Sequence, residues 1–452
     1  MTRPGHRALA ALGCLLAAAL TYQLAPADHA LAAGLALFVL IGSLWVSQAL
    51  PLSVTALLVP LVAVLVGLAD TGTALRSFAN PVIFLFLGGF ALAAALQHQG
   101  LDRAMALAML RLAKGRRVIA VGLLFAQTAA LSMWISNTAT AAMMLPLALG
   151  LLRQGDAESS TPAGSAEKVF VLLGLAYSAS IGGVGTLVGS PPNAIAAAQA
   201  GISFAQWFAF GLPIVVIMMP VMIGVLYLLL RPRLGGHLQI SAARLEWTSA
   251  RVATVVIFGL TAIAWIASAP LSRMLGIEGD FDSIVALTAI VALVVSGCIG
   301  WNEIEKGTQW GVLLLFGGGL ALSSVMSSSG ASRYLAELLL AGLEGAPFLL
   351  LMLGVVAFVV FLTELVSNTA TAALLVPIFL GVSGVLGLPP PLMAAAIAVS
   401  ASCAFMMPVA TPPNAIVFGS GHVPQSAMMR CGLVLNFASI VAISAFAVLW
   451  WR

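Results

Sequence analysis

A chain of 452 residues in which 61% are hydrophobic and 8% charged has too little polar surface to cover a soluble globule of that size. Its net charge of +4 needs no nucleic-acid partner to explain it and is read as a topology signal. What remains is an all-α polytopic membrane protein, because apolar segments of about 18 to 25 residues recur and the alternating strands of a membrane barrel do not.

In chain order, spans are expected at 8–25, 31–49, 52–69 and 80–98. The first follows Arg3, His6 and Arg7 in the manner of a signal peptide, but is read as an uncleaved first helix. An amphipathic arm at 101–113 should lie at the interface. Lys114-Gly115-Arg116-Arg117 then opens two apolar arms, 118–133 and 139–152, which meet at Ser136-Asn137-Thr138. Each arm makes about 22 Å of helix, too short to cross comfortably, so 118–152 is predicted to be a re-entrant helical hairpin. A helix over 169–200, broken at Gly189-Ser190-Pro191-Pro192-Asn193, and a span at 207–230 complete a first half, 1–230. The polar stretch 231–251 is the expected cytoplasmic linker. In the second half, 252–452, spans fall at 252–270, 283–299 and 309–328, followed by an interfacial arm at 331–342. A hairpin at 347–384, a broken helix at 391–419 and a last helix at 431–451 complete it. The expected total is about eleven transmembrane helices.

The halves repeat each other. Gly88-Gly89 and Arg103 recur as Gly318-Gly319 and Arg333, Ser136-Asn137-Thr138 recurs as Ser367-Asn368-Thr369, and Pro191-Pro192-Asn193 recurs as Pro412-Pro413-Asn414. The order is kept and the offset stays at about 220 to 230 positions, the mark of an internal duplication. Of the 19 Lys and Arg residues, only Arg76, Arg273, Arg333 and Arg452 fall outside if the N-terminus is cytoplasmic. That orientation sends the first hairpin in from the cytoplasm and the second in from outside. Two inverted-topology repeats in an inner (plasma) membrane are therefore expected.

Hydroxyl and amide side chains in hydrocarbon must find polar partners or cost several kcal/mol each. Two matching polar islands, at 136–138 and 367–369, thus suggest one site built from both. A Pro-Pro pair removes two backbone donors and breaks its helix, which should free the carbonyls of 186–189 and 407–410 as hard oxygen ligands for a small cation such as Na⁺. Half-helices beyond the breaks point their positive N-terminal ends at the same gap. Cation and anion can then be bound side by side without a fixed charge. Interfacial arms aside, Glu364 is the only acidic residue placed within a membrane segment, read as a hairpin residue bonded to backbone. No Lys or Arg is placed within one, so an anionic substrate would need co-bound cations.

The paired motifs SNTATAA, with VGSPPNAIA and VATPPNAIV, resemble those of the divalent anion:sodium symporter family, and the similarity covers essentially the whole chain past the first helix. The resemblance implies a sodium-coupled carrier of C4-dicarboxylates such as succinate, malate and fumarate. It also implies a homodimer in the lipid bilayer, each protomer having a scaffold domain and a transport domain that moves by an elevator mechanism. By position, it implies one Na⁺ site at Ser132, Ser136, Asn137 and the carbonyl of Gly189, and another at Thr363, Val366, Asn368 and the carbonyl of Ala410. Substrate carboxylates would be held by Ser136, Asn137 and Thr138, by Ser367, Asn368 and Thr369, and by Thr411 and Pro412. Within transport, a sodium-independent dicarboxylate exchanger and a sodium symporter for sulfate or a tricarboxylate stay open.

Other classes lack their signatures. The chain has no HExxH, no GxSxG and no paired intramembrane carboxylates, which argues against an enzyme. Gly183 to Gly189 lacks the spacing and the βαβ context of a nucleotide loop, no His pair has metal-ligand spacing, and Cys14, Cys298, Cys403 and Cys431 lie singly as packing residues. A channel could also use broken helices, but a closed midplane site between inverted repeats suits alternating access better.

Overall fold

The computed structural model describes residues 4–102, 104, 105, 108, 112–153, 162–235, 246–341 and 347–450. Every regular element among them is a helix. The first half opens with α1 (Pro4–Leu24), α2 (His29–Ser47), α3 (Leu52–Leu65), α4 (Thr71–Arg76) and α5 (Pro81–His98). It continues with α6 (Arg117–Ser132), α7 (Asn137–Arg153), α8 (Pro162–Gly183), α9 (Pro191–Ala200) and α10 (Phe204–Leu230). In the second half come α11 (Ser249–Ile266), α12 (Ser268–Leu275), α13 (Phe281–Val295), α14 (Trp301–Gly307), α15 (Trp310–Ser328) and α16 (Ala331–Ala341). The chain ends with α17 (Phe348–Thr363), α18 (Asn368–Leu386), α19 (Pro390–Ala401), α20 (Pro412–Gly419) and α21 (Gln425–Leu449).

Local chemistry sets many of these ends. Asn80 accepts from the Val82 amide ahead of a proline at the first position of α5. Ser203 and Gln206 form a reciprocal capping box on α10. Eight helical stretches among the described residues are long and apolar enough to cross a membrane, fewer than the expected eleven or so. Four expected spans are not among the eight: α3, α13 and α19 are only 14, 15 and 12 residues long, shorter than their apolar runs suggest, and α8, over the expected 169–200, is also absent, whereas α18, expected as a short hairpin arm, is 19 residues long and apolar enough to cross. The short helices α4, α12 and α14, which follow such runs or turn between them, have no counterpart in the expected spans. Residues 103, 106, 107 and 109–111 of the expected arm 101–113, and the middle of the linker 231–251, lie outside the described residues.

The halves are interleaved. The short helix α9 of the first half packs on α18 and α19 of the second, and α20 of the second packs on α7 and α8 of the first. Likewise α13 packs on α5 and α15 on α3. Glycine permits the last two approaches. A Cβ on Gly88 would stand 2.6 Å from Ala286 Cβ, and one on Gly318 would stand 2.5 Å from Ala56 Cβ and 2.7 Å from Ala56 Cα. Such contacts leave no room for a side chain without moving backbone. The repeat seen in sequence is thus also a repeat of packing, with each half completing the other.

Gly318→Ala should cost about 1 to 3 kcal/mol through overpacking and lower the thermal unfolding temperature in detergent. Gly224→Ala, whose Cβ would meet nothing within 4 Å, should leave it unchanged or raised.

Candidate functional site

The first polar island is a tight turn between α6 and α7. Trp134 and Ile135 amides both return to the Leu131 carbonyl, and the Ser136 hydroxyl accepts from the Ala139 amide, so Ser136 caps α7. Directly behind it, Ser132 is fully buried and donates to the Ala179 carbonyl of α8 at 2.7 Å. The Asn137 carboxamide is satisfied with its nitrogen turned inward, where it donates to Ser132 Oγ at 2.6 Å, to the Ala179 carbonyl at 3.1 Å and to the Gly189 carbonyl at 3.2 Å. The second island repeats the arrangement. Thr363, also fully buried, lies 2.8 Å from Asn368 Oδ1 and donates to the Ala401 carbonyl of α19 at 2.9 Å.

The helix breaks repeat each other just as closely. Asn193 Nδ2 donates to the carbonyls of Gly183 and Thr186 at 2.8 and 2.7 Å. Asn414 Nδ2 donates to those of Ala404 and Met407 at 3.2 and 3.1 Å, the same two places counted back along the chain. These bonds correct the expectation that all carbonyls of 186–189 and 407–410 are free. A buried carbonyl cannot stay unpaired cheaply, and the asparagine after each Pro-Pro reaches back to two carbonyls at the unwound end of the preceding helix. Thr186 and Met407 are therefore structural, and Gly189 already meets Asn137.

Glu364 is 4% exposed and does not face the gap. Its Oε1 accepts from the Phe405 and Met406 amides at 2.7 and 2.9 Å and from Asn436 Nδ2 at 2.8 Å, while Oε2 accepts from the Met407 amide at 3.0 Å. The expected backbone role is the observed one. At the corresponding place in the first half, the Thr186 hydroxyl bonds the Met133 carbonyl and accepts from the Gly189 amide at 3.2 Å.

Between the tips and the breaks lies a cavity of about 650 Å³. Of the residues expected at a site, Ser136, Asn137, Thr138, Gly189, Val366, Ser367, Asn368, Thr369, Ala410, Thr411 and Pro412 all line it. Ser132 and Thr363 stand one layer behind. The N-termini of α7, α9, α18 and α20 converge on it, and together they present several partial positive charges to whatever it holds. Gln48, Phe86, Phe90, Gln309 and Val312, from the α2–α3 turn, α5 and the start of α15, form the opposite wall. No acidic or basic side chain is among the described lining residues.

Sequence reading missed the burial of Asp282 and of an ion pair far from the cavity. Asp282, 8% exposed in the first turn of α13, accepts from the Phe204 amide at 2.7 Å, and its carbonyl accepts from Trp265 Nε1 at 2.9 Å. It stood just outside the expected span 283–299, where an acid at a helix start is unremarkable. Trp265 stacks on Phe204 with centroids 4.9 Å apart, and Trp134 of the first tip completes the stack at 6.0 and 6.4 Å. At the base of the first hairpin, Arg117 and Glu167 form a buried ion pair at 2.8 Å.

With this geometry in hand, the chain can be set beside known proteins. The sequence profile of a family described as citrate transporters (CitMHS) matches residues 37–399 and, in a second overlapping match, 283–451. An uncharacterised transporter of Haemophilus influenzae is 51% identical over 425 residues, 92% of this chain and 91% of its own length. The sodium-dependent dicarboxylate transporter SdcS of Staphylococcus saprophyticus is 34% identical over 439 residues, 90% and 84% of the two chains. Among solved structures, the YdaH transporter of Alcanivorax borkumensis superposes with a TM-score of 0.58 at 16% identity, covering 84% of this chain and 87% of that one, a likeness of fold.

Glu364→Gln should turn an amide donor toward at least one of the four donors that the carboxylate now accepts, at a cost of about 1 to 3 kcal/mol. A lower unfolding temperature in detergent is the expected result; an unchanged one would mean that the 405–407 loop does not depend on the carboxylate.

Proposed function

The chain belongs to the citrate transporter family, and from that premise we propose that it is a sodium-coupled symporter of C4-dicarboxylates such as succinate, malate and fumarate. It is a transporter and a multi-pass membrane protein, not an enzyme. The observation that carries the finer reading is the convergence of both Ser-Asn-Thr tips and both Pro-Pro-Asn breaks on one cavity without a fixed charge. A dianion in such a place needs co-bound cations and helix N-termini to balance it. The 34% identical relative named as a sodium-dependent dicarboxylate transporter supports the same assignment.

In this reading one Na⁺ is held by Ser132, Ser136, Asn137 and the Gly189 carbonyl, the other by Thr363, Val366, Asn368 and the Ala410 carbonyl. The inward-turned Asn137 nitrogen bonds the same Ser132 and Gly189 oxygens that would ligate the first ion. The ion takes over that nitrogen's role, and the carboxamide rotates to offer Oδ1. Substrate carboxylates are held one per tip, by Ser136, Asn137 and Thr138 and by Ser367, Asn368 and Thr369, with Thr411 and Pro412 closing the second side. Residues 1–230 comprise a first helix and the first inverted repeat, and 252–452 the second inverted repeat and a last helix, joined by a cytoplasmic linker at 231–251, with the N-terminus inside an inner (plasma) membrane. The hairpins and broken helices move as a transport domain, elevator-fashion, in a homodimer. The family's description favours a second reading, a sodium symporter for a tricarboxylate. Competition of excess citrate against labelled succinate decides between them.

Uptake of labelled succinate into proteoliposomes is expected to require a Na⁺ gradient. Equal uptake with K⁺ or choline in place of Na⁺ would replace symport with exchange.

Asn137→Ala and Asn368→Ala should each weaken both Na⁺ and succinate binding, because each amide sits where the two ligands meet. Loss of one hydrogen bond to a charged group costs about 1.5 to 3 kcal/mol, roughly 10-fold to 150-fold in affinity. Unaltered Na⁺ dependence in both variants would return these residues to helix packing.

A further inference from the structure

A second cavity of about 650 Å³ lies at the other end of the same helices. Helices α9, α15 and α18 contribute Pro191, Val312 and Asn368 to the first cavity, and Gln199, Ser323 and Pro377 to the second. Val312, Ser323 and Ser327 share one face of α15, since 11 and 4 residues are close to whole helical turns. That face runs about 22 Å from one cavity to the other at 1.5 Å per residue, most of the hydrocarbon thickness.

The chemistry of the second cavity differs from the first. Arg333, at the start of α16, lines it together with Ser323, Ser327, Ser332 and Gln199. The carboxamide nitrogen and oxygen of Gln199 are both buried and meet no hydrogen-bond partner among the described residues. A buried amide left in that state is costly unless something fills its bonds. Arg333 meets Glu337 at 2.8 Å, but that pair is exposed, 79% and 51% by side chain. Exposed pairs hold weakly, so the guanidinium can exchange partners cheaply. Its planar donors suit a carboxylate. Hydroxyls, an unfilled amide and one exchangeable arginine, at the far end of the helices that carry the first site, make a place for a small anion.

We propose that this cavity is a second carboxylate-binding site, which holds the dicarboxylate at the opposite end of α15 from the first. The identity of the anion rests on the function proposed above; the site itself does not need Na⁺. Because Arg333 can turn from Glu337 to the ligand, the second site binds the dianion without Na⁺, whereas the first requires co-bound cations. A dicarboxylate is thus collected at this end by Arg333 and passed to the sodium-loaded tips when the moving helices shift along α15.

The difference in Na⁺ requirement supplies the test. Ser327→Cys is introduced into the full-length protein, purified in detergent, and labelled in K⁺ buffer free of Na⁺ with an anionic and with a cationic methanethiosulfonate. The native cysteines are buried, and the unsubstituted protein gives the background. The anionic reagent should react about 10-fold faster, as expected for focusing by a charge in a cleft. Millimolar succinate should slow it. Arg333→Gln should abolish both effects, and Arg333→Lys should restore the charge preference. Ser323→Cys is the second probe if Ser327→Cys does not fold. Equal rates for the two reagents, a preference that survives Arg333→Gln, or labelling indifferent to succinate would overturn the site. Succinate protection in K⁺ combined with Na⁺-independent uptake would retain this site and remove sodium symport, so the two failures are distinguishable.

Discussion

Within hydrocarbon, every peptide group must find its partner inside the protein, and this chain interrupts its helices at two hairpin tips and two Pro-Pro breaks in apolar sequence. The rest of the structure follows from how those interruptions are satisfied. At each hairpin tip a buried hydroxyl, Ser132 or Thr363, reaches the last turn of the adjoining broken helix at Ala179 or Ala401. At each break an asparagine side chain, Asn193 or Asn414, bonds two carbonyls of the unwound stretch before the Pro-Pro pair. The groups left over are those that face the cavity. The candidate site is the remainder after the backbone's own requirements have been met.

The two halves solve the same problem with different chemistry. In the first, neutral groups suffice, with the Thr186 hydroxyl bridging the tip and the break. In the second, the loop 404–407 is pinned from both sides. Asn414 takes the Ala404 and Met407 carbonyls, Tyr177 takes that of Phe405 at 2.7 Å, and Glu364 takes the three following amides. A carboxylate buried against three amides and Asn436 is hydrogen-bonded on both oxygens, which is what makes its burial tolerable. Tyr177 belongs to the first half and Glu364 to the second, so this network also ties the two repeats together. Its cost is rigidity in one break, and the first break has no such charge to hold it.

Much of this was legible in the sequence because duplication marks position. Ser136-Asn137-Thr138 and Ser367-Asn368-Thr369, found twice in apolar surroundings, could be assigned to one place, and the structure brings them to one cavity. Hairpin tips were readable because polar islands interrupt the apolar runs, although the arm after the second tip, Asn368–Leu386, is long enough to cross. The role of Asn193 and Asn414 was not read, although both stand in the duplicated motif. Proline patterns show which bonds are lost, whereas a side chain that replaces them is visible only once the loop has folded back. Asp282 was missed for a related reason. An acid at a helix start is ordinary in sequence, and only the stacked Trp134, Phe204 and Trp265 around its end of α13 reveal that it is buried. The cavity at Arg333 joins residues from 199 to 385, and neither a motif nor a period links them.

A transporter whose substrate site has no fixed charge must let its ions and its substrate stabilise each other, and thermodynamic linkage makes that mutual. The cluster of Ser132, Asn137 and Gly189 oxygens, with its counterpart at Thr363 and Asn368, lies directly behind the groups assigned to the carboxylates. In the proposed function, ion and anion would therefore lie within a few ångströms of each other, where attraction is strong away from bulk water. Calorimetric titration of the purified protein with succinate across a series of Na⁺ concentrations at constant ionic strength measures this coupling. The account requires succinate affinity to rise with Na⁺, with a log–log slope above one as two ions are taken up, and K⁺ to have no such effect; an affinity independent of Na⁺ would contradict it.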